Sequence, residues 1–107
     1  MPFKAVFLAH ASDAEPDRDR NLIETSTYKL FSVVVRDQAQ AVDECKRLVK
    51  DEGIHSVLLC PGFSDKNVAE ITEAVGESVG VAVARGGPPG RRVPAKVRIA
   101  AYTSPDS

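Results

Sequence analysis

The chain has 107 residues, 43% of them hydrophobic and 27% charged, with 14 Lys and Arg against 15 Asp and Glu for a formal charge of −1. That length and usage fit one globular domain with its own core and exclude a disordered tail or a fibre. Balanced charge and few aromatics disfavour nucleic-acid binding. No apolar run nears the roughly 18 residues of a membrane span and no signal-peptide pattern opens the chain, so the expectation is a soluble, cytoplasmic protein.

Residues 3–9 (FKAVFLA) form an apolar run broken only by Lys4. A run of this kind predicts a strand covered on both faces. The polar stretch at 10–27 follows. In it Glu15-Pro16-Asp17 reads as a helix start, with Leu22 and Ile23 as the residues so short a helix would bury, because proline suits the first turn and acids complement the dipole. Residues 28–36 (YKLFSVVVR) are the clearest strand, rich in β-branched valine.

Asp37 then offers an N-cap. Over 38–52, Ala41, Val42, Cys45, Leu48 and Val49 share one helical face, Asp43, Glu44, Lys46, Arg47 and Lys50 fill the rest, and Gly53 supplies the stop. Residues 56–60 (SVLLC) predict a short buried strand, broken by Pro61-Gly62. Ser64 caps a second helix with an inward stripe of Val68, Ile71, Thr72 and Val75, ended by Gly76, and 79–84 (VGVAVA) is a last strand.

The order β-(short α)-β-α-β-α-β predicts a single-domain, layered α/β fold over residues 1–86, with a largely parallel sheet and right-handed crossovers. An antiparallel first strand would make it a ferredoxin-like α+β sandwich instead. Residues 87–107 form a Gly/Pro-rich, basic extension that opens within the GGPPG turn signal at 86–90, and its 95–102 stretch (AKVRIAAY), which alternates weakly, could add an edge strand. Arg85, Arg91, Arg92, Lys96 and Arg98 stand without an acid between 78 and 105, whereas 13–24 holds Asp13, Glu15, Asp17, Asp19 and Glu24 against Arg18 and Arg20. This segregation points to a homo-oligomer or a salt-laced internal contact, with plain solvated loops as the alternative.

Ligands of open parallel sheets bind beyond the carboxyl ends of the strands. That rule gathers His10, Arg36, the CPGFS turn at 60–64 and Arg85. Gly62 lets backbone approach a ligand, and the helix beginning after Ser64 offers free N–H groups to an anion. The ligand-binding candidates are therefore Arg36, Gly62, Phe63, Ser64 and Arg85. The catalytic candidates are Cys60, a thiol beside a helix start, and His10, a base suited to neutral pH. A buried thiol, an ordinary Pro-Gly turn and a plain cap account for the same residues without chemistry.

Other chemistries lack support. His55 begins its strand and belongs to the opposite end. Cys45 and Cys60 form no CxxC pair and read as free thiols, and together with His10 and His55 they lack any zinc-ligand spacing. GGPPG lacks the Lys-Ser/Thr ending of a phosphate loop, and neither GxGxxG nor GxSxG occurs, so no cofactor is expected.

The segments FKAVFLAH, IETSTYKLFSVVVRDQAQA and LLCPGFSDKNVAEITEAVG followed by VAVARG resemble a small family of microbial proteins classed as a domain of unknown function. The likeness spans about residues 3–86 and marks the Leu-Cys-Pro-Gly-Phe turn as the family's hallmark. It implies no activity. The leading expectation from the residues is a homo-oligomeric module binding an anionic small molecule at the strand ends. The alternatives are a small lyase, isomerase or thiol enzyme using Cys60 or His10, and a purely structural interaction protein.

Overall fold

The computed structural model describes residues 1–84. Arg85, the turn signal at 86–90 and the expected edge strand within 95–102 lie outside them. The elements run β1 (Phe3–His10), β2 (Arg20–Glu24), β3 (Tyr28–Val35), α1 (Gln38–Glu52), β4 (Ser56–Leu59), α2 (Asp65–Val75) and β5 (Gly80–Val83). They form one five-stranded sheet in the order β2-β3-β1-β4-β5. β1 is parallel to β3 and β4, β4 is parallel to β5, and only β2 runs antiparallel, against β3. The fold is α/β with a mostly parallel sheet. Its first strand runs parallel, as expected.

Local chemistry sets the helix ends. The Asp37 carboxylate accepts from the Gln40 N–H at 2.9 Å and Gly53 closes α1 in the left-handed region at φ 67°, a conformation that costs glycine no steric penalty. The Ser64 hydroxyl accepts from the Asn67 N–H at 3.1 Å to start α2. No helix among the described residues is long and apolar enough to cross a membrane.

The crossovers β3-α1-β4 and β4-α2-β5 step across the sheet in the same direction. Right-handed connections therefore put both helices on one face, where they pack side by side. That face holds the core: Val6, Leu8, Val33, Val35, Val57 and Leu59 from the strands meet Ala41, Cys45, Leu48, Ile71 and Val75 from the helices. The apolar opening run predicted a strand covered on both sides; among the described residues one side of β1 faces the helices, and no described helix lies on the other.

A correction falls on the polar stretch. Glu15-Pro16-Asp17 begins a single turn, not a helix: the N–H groups of Arg18 and Asp19 donate to the Glu15 carbonyl, and the Asp19 carboxylate accepts back from the Glu15 N–H at 2.8 Å. The Arg18 guanidinium, bonded to the same carboxylate, helps hold Asp19 down at about 2. The chain then extends into β2, whose hairpin to β3 is tightened by the Thr25 hydroxyl accepting from the N–H groups of Thr27 and Tyr28. Leu22 and Ile23, expected in the core of a helix, remain exposed on this edge strand. In α2, Thr72 is exposed and bonds the Val68 carbonyl instead of joining the inward stripe.

Glu44 lies on the buried side of α1, contrary to the polar placement its periodicity implied, and its side chain is only 3% exposed. Arg20 of β2 reaches one carboxylate oxygen at 2.9 Å, and Arg47 reaches both at 2.7 Å. A buried carboxylate is tolerated only when paired, so these arginines pin the edge hairpin to α1. Because each arginine backs up the other, Arg20→Met or Arg47→Met alone should cost about 1 kcal/mol. The double variant strands the carboxylate and should lose about 3 kcal/mol or more, beyond the sum of the singles, in a urea-unfolding double-mutant cycle.

Candidate functional site

The parallel register aligns three strand ends. His10 closes β1 opposite Val35 of β3, and Leu8 of β1 pairs with Leu59 of β4. Two further bonds carry the ladders past the strands: Ala11 N–H donates to the Val35 carbonyl at 2.9 Å and Cys60 N–H to the Leu8 carbonyl at 3.0 Å. His10, Arg36 and the CPGF turn consequently emerge at one level. Between them opens a cleft of about 410 Å³ lined by His10, Ala11, Ser12, Arg36 and Gly62. Three of the residues singled out in the sequence meet there.

The guanidinium of Arg36 extends from the end of β3 and pairs with Glu15 at 2.9 Å, both side chains about half exposed. Its backbone N–H is held by the Gln40 side chain at 2.7 Å, which fixes where the side chain departs. The partner is an acid from the loop after β1. Ser12 and Glu15 are the site residues that reading from sequence missed. Their only signal was nearness to the end of an apolar strand.

The turn after β4 is built around space. A Cβ on Gly62 would lie 2.8 Å from His10 Nε2, 3.1 Å from Cε1 and 3.6 Å from Cys60 Sγ. Gly62 does not have a left-handed φ, so what glycine supplies here is room for the imidazole. Phe63 then turns inward, 2% exposed in the core, and the His10 ring packs edge-on against it at 4.8 Å and 84°. Phe63 thus lies beneath the histidine as its support.

Cys60 is also part of the core, 5% exposed. His10 and the thiol both come within 4 Å of the point that a Cβ on Gly62 would occupy. Ser64 spends its hydroxyl on the cap, and Asp65 places a carboxylate in the first turn of α2, where it meets the positive end of the dipole. His55 lies at the far end of the sheet, accepting from the Lys4 N–H at 3.0 Å and stacking on Phe3 at 5.3 Å. Arg85 is outside the described residues. Among those described, no group of three His, Cys, Asp or Glu is arranged to hold a metal.

Chemically, the cleft combines a permanent cation, an imidazole able to donate or accept, and a hydroxyl. That set can hold a carboxylate or phosphate. A thiol reaction would need Cys60 uncovered. Cys45, wholly buried, has its thiol pushed up to about 12 by burial and by the neighbouring Glu44.

Two expectations follow from this packing. Gly62→Ala should destabilise the protein by about 1–3 kcal/mol by driving a methyl into the imidazole, and much of that loss should return in the Gly62→Ala, His10→Ala double variant when both are melted side by side. Alkylation followed by mass spectrometry should find Cys60 and Cys45 inert in the native protein, reacting only at the rate at which the chain opens.

A search of family models matches residues 3–97 to a family of unknown function, DUF6506. The match takes in all of the sheet, both helices and the cleft, and continues into the basic segment as far as residue 97. No curated protein and no solved structure matches the chain. With nearly its whole length covered, the chain belongs to the DUF6506 family.

Proposed function

We propose that this protein is a binding module for a small molecule carrying an anionic group, a carboxylate or a phosphate, held in the cleft at the strand ends. The observation that carries the reading is the convergence of His10, Arg36 and Gly62 from three different strand ends on one cleft of about 410 Å³, within the size range of small-molecule sites. Arg36 supplies the fixed charge and the planar fork suited to such groups. Its present partner, Glu15, is a surface acid. Surface pairs of this kind are worth only about 0–1 kcal/mol, so an entering anion displaces the acid at little cost. Ser12 and His10 add hydrogen bonds. The two free, buried thiols suit the reducing cytoplasm in which we place the protein.

Thiol or acid–base chemistry by Cys60 and His10 is the second reading, and its support is that both side chains approach the same point over Gly62. Burial of the sulfur weighs against it. The alkylation experiment separates the two.

The binding reading is tested by thermal melts with phosphate, sulfate and a panel of mono- and dicarboxylates. A ligand at 100 times its Kd should add about 2.7 kcal/mol, a rise of roughly 10 °C or more for a chain of this size. Arg36→Ala should abolish the rise, and Glu15→Gln should shift it to lower ligand concentration. Melts unmoved by every anion would refute the proposal.

A further inference from the structure

The second face of the sheet is not covered by a helix among the described residues, and its composition is unusual for a surface. Strand alternation and the pairing register put Phe3, Ala5, Phe7 and Ala9 of β1 on this face, beside Tyr28, Leu30, Ser32 and Val34 of β3. Ser56 and Leu58 of β4 and Gly80 and Ala82 of β5 extend it on one side, and Asn21 and Ile23 of β2 on the other. None of the described strand positions on it is charged. The charged strand residues Lys4, Arg20, Glu24 and Lys29 all have the opposite parity. Ile23 is 55% exposed and Leu58 39%, with Phe7, Leu30 and Val34 half-buried between them. Solvated sheet faces are ordinarily polar, and a contiguous apolar patch marks a docking surface.

Two occupants are at hand: the chain's own segment 85–107 and a second copy. The segment carries Arg85, Arg91, Arg92, Lys96 and Arg98 against the single acid Asp106, and the face offers no carboxylate to receive them. A second copy brings an identical uncharged face, and a two-fold axis makes one patch its own complement. Size agrees as well. At about 4.8 Å between strands and about 3.3 Å per residue the face covers roughly 450 Å². Two such faces with their side-chain relief bury about 1,000 Å², the threshold for a specific interface.

We propose that two copies of this protein pack sheet against sheet through the uncharged face centred on Phe7, Leu30, Val34 and Leu58, forming a two-fold dimer with both helical layers outside. Such face-to-face sheets stack about 10 Å apart with interdigitated apolar side chains. The inference is independent of the anion cleft, and it seats self-association on a neutral face rather than on the charge-segregated ends of the chain.

Sedimentation of the full chain should give twice the 11.5 kDa chain mass at low micromolar concentration. Leu58→Glu and, separately, Ala82→Arg place charges on exposed face positions. Each should raise the dimer dissociation constant by about 100-fold or more while melts and circular dichroism report a folded monomer. Ala69→Glu on the exposed side of α2 should leave the dimer intact. A monomer at about 100 µM overturns the proposal, as does a dimer that survives both face substitutions.

Discussion

Everything in this molecule follows from the hand of two crossovers. The chain moves from β3 across β1 to β4 and on to β5, always in the same direction, and a right-handed connection taken twice in one direction lands both helices on the same side. In doubly wound folds the return step carries a helix too, and a helix covers each face. Here the one return step, from β1 to β3, is made through the β2 hairpin, which lies in the plane of the sheet and covers nothing. Among the described residues both helices therefore lie on one side. The same topology gathers the C-terminal ends of β1, β3 and β4 at one rim, where the cleft opens.

At that rim the Cys-Pro-Gly-Phe turn has a physical explanation that does not depend on catalysis. Phe63 anchors it in the core, Cys60 continues the β1 ladder and fills space beneath, and Gly62 leaves room for His10. Each residue type answers a local demand. The histidine is consequently supported from below by an aromatic edge and bounded at the side by bare backbone, so its ring position is set by packing. Preorganisation of this kind favours the proposed binding, since ordering side chains at the moment of binding costs affinity.

Much of the architecture was legible because it depends on period and punctuation. The valines of β3, the Asp37 and Ser64 caps and the glycine stops at Gly53 and Gly76 each act within a few residues, and all appear where their chemistry requires. β2 was not legible. Pro16 flanked by acids opens one turn as readily as a helix, and RNLIE, an edge strand with a solvated side, shows neither period clearly. Glu44 was misread for a related reason: its burial depends on Arg20, a residue 24 positions away that only the hairpin brings near. At the site, the strand-end rule located His10, Arg36 and Gly62 correctly at one rim. Which way Phe63 turned, and that Ser12 and Glu15 would join, depended on loop paths that no short-range signal encodes.

The position of β1 has a consequence for how the chain acquires its shape. It precedes the other described elements in the chain and is the central one in the sheet, and neither of its neighbours is adjacent to it in sequence. One edge waits for β3, the other for β4, where the Lys4 N–H donates to the His55 imidazole and the His55 N–H to the Lys4 carbonyl across 51 residues. During synthesis the opening strand therefore emerges without a partner and stays unpaired on at least one side until β4 has appeared. Closing such long loops is an entropic toll levied before the contacts that repay it. The apolar run that later forms the middle of the sheet is, until then, the segment of the nascent chain most in need of shielding.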